Sequence, residues 1–268
     1  MKHLRYAFID TETTGLASDA RIAEAAVTHL DPGQLPRVAF CARVNPEIPM
    51  EKGASMVTGI TDDDLRDAPP WVEIGPRFME AIGDRVIVAY NYPYDFKRIN
   101  FDNERCGLPL LTWGAGIDPL VLIKTKALDQ YQKGKKLWQA CARRGIAVDA
   151  HGAAGDTVAT AILWLHIMEK LKLGDTDLAR FLVRQRQRAL EQEVEFCRYV
   201  LEQGSGEREQ PECPWHELEG LPPPEWPPRP PAMGTCPNCA APAVFRIDKA
   251  GTVGLFNPDD SAHICAGQ

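Results

Sequence analysis

Long apolar runs are missing from this sequence. No stretch of its 268 residues approaches the roughly 18 consecutive apolar residues a membrane helix needs. The opening Met1-Lys2-His3-Leu4-Arg5 meets Asp10 after only a short apolar stretch, so no signal-peptide core is read there. Net positive charge is missing as well: 30 Lys and Arg stand against 37 Asp and Glu, a formal net charge of -7. That argues against gripping nucleic acid through bulk charge, though a local basic groove is compatible with it. The eight cysteines form no disulfide ladder of a small secreted domain, because Cys41, Cys106 and Cys141 stand alone and only Cys236 and Cys239 form a close pair. The expectation is a soluble protein of a reducing cytoplasm with no membrane partner. What is present, 44% hydrophobic and 25% charged residues, is an ordinary globular composition.

Tyr6 to Asp10, Ile22 to Leu30 and Val38 to Val44 read as three strands joined by short turns, a meander. Helices are expected over Asp62 to Asp67 and Val72 to Ile82, then a strand at Arg85 to Ala89. Further helices follow over Tyr94 to Cys106, Ile117 to about Leu128, Leu137 to Arg144 and Asp156 to Leu171, the last with Val158, Ala161, Ile162, Leu165 and Met168 on one face. Strands alternating with helices imply an α/β domain with a mixed sheet. Another helix is expected from Asp175 to about Glu202, and from Gly204 the composition turns proline-rich, as a semi-rigid linker does. The expected division is a domain over 1–173, a helical extension over 174–203, a linker over 204–234 and a tail over 235–268.

Three short segments carry chemistry. In Phe8-Ile9-Asp10-Thr11-Glu12-Thr13-Thr14-Gly15-Leu16 the period of two puts Asp10 and Glu12 on one face at a strand end. Two carboxylates aimed together repel, and a hard divalent cation such as Mg²⁺ or Mn²⁺ relieves them. In Val88-Ala89-Tyr90-Asn91-Tyr92-Pro93-Tyr94-Asp95-Phe96 a strand runs into a helix, with Asp95 near its start. In His151-Gly152-Ala153-Ala154-Gly155-Asp156 a glycine-rich turn carries a histidine and then an acid into a long helix. Read singly, each acid is an ordinary helix or turn cap.

Taken together, the segments resemble the DEDDh 3′-to-5′ exonuclease family, the group that includes the proofreading epsilon subunit of bacterial DNA polymerase III. The resemblance covers about residues 4 to 170. Val57-Thr58-Gly59-Ile60-Thr61, Gly116-Ile117-Asp118-Pro119-Leu120 and Lys136-Leu137-Trp138-Gln139-Ala140-Cys141 echo weaker family motifs. Thr58 and Tyr90 stand where the family usually has His, Tyr92 and Tyr94 where it usually has Ala and Phe, and Thr157 where it usually has Ala. None of these is a family catalytic position, so the departures bear on substrate preference.

The resemblance implies a ribonuclease H-like fold, a mixed sheet flanked by helices. It implies that Asp10, Glu12, Asp95 and Asp156 hold two Mg²⁺ or Mn²⁺ ions, with Asp10 bridging both, and that His151 is the general base. Thr11, Thr13, Leu16 and Asn91 would contact the terminal nucleotide. The implied reaction removes nucleoside 5′-monophosphates from the 3′ end of single-stranded or frayed DNA, in proofreading or repair. Trimming of RNA 3′ ends is the alternative, because members of this fold act on either sugar, and a catalytically silent nucleic-acid-binding module is a third reading. With no polymerase region in the sequence, proofreading would need a DNA polymerase or another replication or repair partner. The cations Lys124, Lys126, Lys133, Lys135, Lys136, Arg143 and Arg144, set against Asp129 alone, form either a phosphate track or a solvated face.

Cys236-Pro237-Asn238-Cys239 is a tight turn that presents two thiolates to one zinc ion. His263 and Cys265 are the preferred completing pair, with a hairpin between Ala241 and Phe256; Cys213 and His216 are the other option. The expectation is a small zinc-binding module with one Zn²⁺.

Overall fold

Tyr6-Ala7-Phe8-Ile9 is an apolar run of the kind that fills a strand buried on both faces, and it opens β1 (Tyr6–Thr13). β2 (Ile22–Leu30) pairs with β1 antiparallel, setting Asp10 opposite Ala26 and Glu12 opposite Glu24. β3 (Arg37–Arg43) completes the expected meander on β2. β4 (Val86–Val88) then returns parallel to β1, so the sheet is mixed with the order β3-β2-β1-β4. Ile117 adds a parallel bridge to Val88 beyond β4. In this computed structural model the described residues are 1–112, 116–129, 133–147, 152–202, 213–220, 234–235, 242–247 and 253–256.

The helices are α1 (Lys52–Thr58), α2 (Asp62–Leu65), α3 (Trp71–Ile82), α4 (Tyr92–Arg105), α5 (Pro119–Ile123), α6 (Leu137–Ala142), α7 (Ala153–Lys170), α8 (Leu178–Glu202) and α9 (Pro214–Leu218). α7 lies against β1, β2 and β3, while α3 packs on β2 and β3 and α4 on β1 and β2. α7 buries Ala153, Thr157, Thr160, Ala161, Trp164 and Ile167. That corrects the expected face, because Leu165 is 37% exposed. Small residues turn toward the sheet and let the helix approach closely: Thr157 Oγ1 meets Thr28 Oγ1 at 2.8 Å. Two turns further along, Trp164 meets Tyr6 and Phe181 edge-on, each at 6.0 Å between ring centroids.

α5 stops at Ile123 rather than near Leu128, where Leu128 and Asp129 instead close turns onto Thr125 and Ile123. α1 was not expected; it buries none of its residues, so it leaves no apolar period to read. The first of two compact units, Met1–Gln192, takes in the beginning of α8. There Gln185 is buried, accepting from the Asp118 N–H at 2.9 Å and donating to the Gly116 carbonyl at 3.0 Å. The helix therefore packs back on its own domain over this stretch.

The second unit, Glu193–Gln268, holds the end of α8, α9 and the antiparallel strands β5 (Gly234–Thr235), β6 (Pro242–Ile247) and β7 (Val253–Phe256), in the order β5-β6-β7. β6 and β7 form the hairpin expected between Ala241 and Phe256. Glu193 accepts from the Trp215 and His216 amides and contacts His216 Nδ1 at 2.5 Å, and the Cys197 and Cys213 sulfurs lie 3.4 Å apart.

Candidate active site

β1 is apolar where it starts and acidic where it ends. Asp10 and Glu12 project from the same side of its C-terminal half, and the first turn of α7 brings Asp156 to them. One carboxylate oxygen from each of the three lies within 4.8 Å of the others, the only such group of metal-ligand side chains among the described residues. Asp95, in the first turn of α4 and 3% exposed, lies beside this trio but is turned to Thr11: its Oδ1 accepts from Thr11 N at 2.9 Å and from Thr11 Oγ1 at 2.8 Å. So three of the four expected acids converge, and the fourth is held next to them by the strand.

The electrostatics are those of a site built for a cation. Burial, then repulsion from Asp95, Glu12, Asp156 and Glu24, pushes the Asp10 carboxyl well above the usual range. Burial, followed by Asp156 and Glu24, pushes Glu12 up to about 7 against the opposing pull of Arg43. Asp95 also rises to about 7, chiefly through burial, despite its Thr11 hydrogen bonds. The groups acting on Asp10 are all acids, and an all-oxygen donor set of this kind fits Mg²⁺ or Mn²⁺.

Around the trio, Asn91 takes a left-handed conformation (φ 72°) that starts α4, and its N–H donates to Asp118 Oδ1 at 3.0 Å. Burial lifts Asp118 to about 6. Thr13 is buried, with its Oγ1 2.8 Å from the Gly15 carbonyl and 2.7 Å from Tyr94 Oη. Leu16 is 82% exposed, which sets aside core packing for it. Its carbonyl and those of Ser18 and Ala20 accept from the Arg98 guanidinium. Sequence reasoning missed Arg98 and Glu24. For Glu24 the available signal was a single acid inside the otherwise apolar run of β2.

The expected phosphate track is partly consumed internally: Arg143 and Arg144 both pair with Asp129, at 2.8 and 3.0 Å. Lys124, Lys126, Lys133 and Lys136 are exposed. Tyr90 Oη donates to the Lys135 carbonyl, and Tyr92 is buried with its ring 5.7 Å from that of Phe96. His151 and the four expected zinc ligands, Cys236, Cys239, His263 and Cys265, lie outside the described residues.

A mixed sheet with acids converging at the end of its first strand defines an α/β fold of the ribonuclease H-like exonuclease class. Residues 7–164 match the family described as Exonuclease (RNase_T), and the chain belongs to that family. A relative, the DNA polymerase III PolC-type of Streptococcus pneumoniae, is 32% identical over 181 residues, which is 65% of this chain and 12% of that protein. The DNA polymerase III subunit epsilon-like protein of Rhodobacter capsulatus is 31% identical over 187 residues, 63% of this chain and 24% of the relative. The match thus spans a quarter or less of either relative. Two solved structures share the fold. Exonuclease X in complex with 5′-overhanging duplex DNA superposes with a TM-score of 0.50 at 23% identity, over 66% of this chain and 99% of that one. E. coli exonuclease I in complex with a dA16 oligonucleotide gives 0.55 at 20% identity, over 68% and 44%. No helix among the described residues is long and apolar enough to cross a membrane.

Proposed function

We propose that the protein is a metal-dependent 3′-to-5′ exonuclease that releases nucleoside 5′-monophosphates from single-stranded or frayed DNA. The observation that carries this reading is the convergence of Asp10, Glu12 and Asp156, with Asp95 alongside, at the end of β1. Asp10, Glu12, Asp95 and Asp156 would hold two Mg²⁺ or Mn²⁺ ions, with Asp10 shared. When bound, such ions supply Lewis-acid stabilisation of the phosphoryl and leaving oxygens.

The remaining steps belong to the chain itself. Thr11, Thr13, exposed Leu16 and Asn91 seat the terminal nucleotide. An imidazole nitrogen of His151 takes the proton from the attacking water, whose oxygen bonds to phosphorus as the P–O3′ bond breaks. The products are a nucleoside 5′-monophosphate and a strand one residue shorter, whose departing 3′ oxygen takes up a proton from solvent water to become a free hydroxyl. The two polymerase-named relatives support a role in replication or repair beside a DNA polymerase. Around the exonuclease domain (1–173) the proposal places a helical extension (174–203), a linker (204–234) and a tail (235–268) with one Zn²⁺ on Cys236, Cys239, His263 and Cys265, in a cytoplasmic protein.

The test is a 5′-labelled DNA oligonucleotide and its RNA twin incubated with Mg²⁺ or Mn²⁺, with EDTA and His151→Ala as controls. A ladder shortening from the 3′ end of DNA, absent in both controls, is expected. Faster shortening of the RNA would move the assignment to an exoribonuclease. Intact substrate in every lane would overturn the enzyme reading.

A further inference from the structure

Glu24 is a fifth carboxylate at the acidic end of the sheet, itself buried, and both of its oxygens are already engaged by the protein. Its Oε1 accepts from Arg43 Nε at 2.8 Å, and its Oε2 accepts from the Ala153 backbone N–H at 2.8 Å. The side chain is 10% exposed. Its presence is costly to its neighbours, since its charge helps raise both Asp10 and Glu12. A buried acid that repels the trio without joining it calls for another role.

That role is visible at the start of α7. Ala153 is the first residue of the helix, so its amide has no intrahelical acceptor, and the preceding Gly152 has no side chain with which to cap it. Glu24 takes the place of the cap from the neighbouring strand. A carboxylate at this end also complements the helix dipole. Gly152 passes close over it: a Cβ built there would lie 3.7 Å from Glu24 Oε2. Three residues past Ala153 comes Asp156, and two residues before it comes His151. One hydrogen bond therefore fixes the first turn of α7, from which Asp156 projects.

Resting on the exonuclease reading above, the geometry points to Glu24 as a positioning residue that sets Asp156 against Asp10 and Glu12 by capping α7 from β2. Glu24→Gln keeps an acceptor of the same reach and removes the charge. Glu24→Met keeps the bulk and removes both. Arg43, whose side chain is 43% exposed, can turn to water in either.

The experiment measures kcat and KM of the full chain on single-stranded DNA, together with amide hydrogen exchange of the Ala153–Asp156 segment in EDTA. Glu24→Met is expected to lower kcat by about 10- to 100-fold, the size of effect expected for one buried charge-assisted hydrogen bond, with KM within about twofold, and to speed exchange in that segment by about tenfold or more. Glu24→Gln is expected to restore kcat and exchange to within about threefold of wild type. Should Glu24→Met fail to fold, Glu24→Asp, which keeps the charge but falls one methylene short, must show the same losses. Equal losses in the Gln and Met variants, or unchanged exchange in Glu24→Met, would overturn the inference. If the wild type cleaves nothing, the exonuclease reading fails, and the exchange data still decide whether Glu24 caps the helix.

Discussion

The two ends of β1 obey opposite rules. At one end Tyr6 and Phe8 are fully covered, and Trp164 meets Tyr6 and Phe181 edge-on, so that end is packed by the chain's own apolar side chains. At the other end, two residues past Phe8, burial and the neighbouring acids Asp156 and Glu24 push the Asp10 and Glu12 carboxyls above their usual range. One end is held by the hydrophobic effect. The other is held together by the rest of the fold in spite of its own repulsion, which is the state of a site awaiting positive charge. The contrast sets the acidic end apart as the cluster that could hold a metal ion.

The largest expected effect breaks that contrast at the acidic end. Asp10→Asn should reduce cleavage by about a thousandfold or more, as removal of a shared metal ligand does, while leaving the metal-free fold at least as stable as wild type. Steady-state rates and thermal melts in EDTA check both halves. The converse lesion is Trp164→Ala, which should cost about 3–5 kcal/mol by opening a cavity at the apolar end. Urea unfolding measures it, and any protein that stays folded should keep its affinity for Mn²⁺.

Much of this contrast is legible in the sequence. An apolar run that ends in two acids at a spacing of two puts both on one face at a strand end, and it is the three acidic segments together, through the family they resemble, that point to the fold. The structure adds what spacing cannot carry. Asp95 is turned to Thr11 by two hydrogen bonds, although its position in the motif suggests an equal share in the trio. Glu24 reads as one misplaced acid until Ala153, 129 positions away, is found against it. α1 escaped notice because it buries no residue, and the apolar face of α7 was misplaced because Ala and Thr residues share its buried side with Leu163, Trp164 and Ile167. For Asp95, Glu24 and α7 a tertiary partner, absent from the local pattern, made the decision.

pH offers a gentler test of the repulsion. Glu12 and Asp95 rise from ordinary values of 4.5 and 3.8 to about 7, so the folded state keeps protons that the unfolded chain has released. Without metal, stability should therefore increase as pH falls through about 7 toward about 4.5, and decrease again only when other groups titrate. A melt in EDTA at about pH 6 is expected to lie roughly 2–4 °C above one at about pH 8, the shift that about 1 kcal/mol produces in a domain of this size. A flat or inverted profile would mean the acids are already compensated.

The smallest effect concerns the rim. Tyr94→Phe removes the phenol that meets Thr13 Oγ1, which should cost about 1 kcal/mol of order in the turn leading to Leu16. KM for single-stranded DNA should rise about threefold to fivefold with kcat nearly unchanged. Equal changes in both constants would instead place Tyr94 in the chemistry.

The most direct test of the contrast is calorimetric titration of Mn²⁺ into EDTA-stripped, dialysed protein at pH 7.5, for wild type and Asp10→Asn side by side. Saturable binding in the wild type that is lost or greatly weakened in Asp10→Asn is the expected result. Identical isotherms, or no binding in either protein, would contradict the claim that the acidic end of β1 is a cation site.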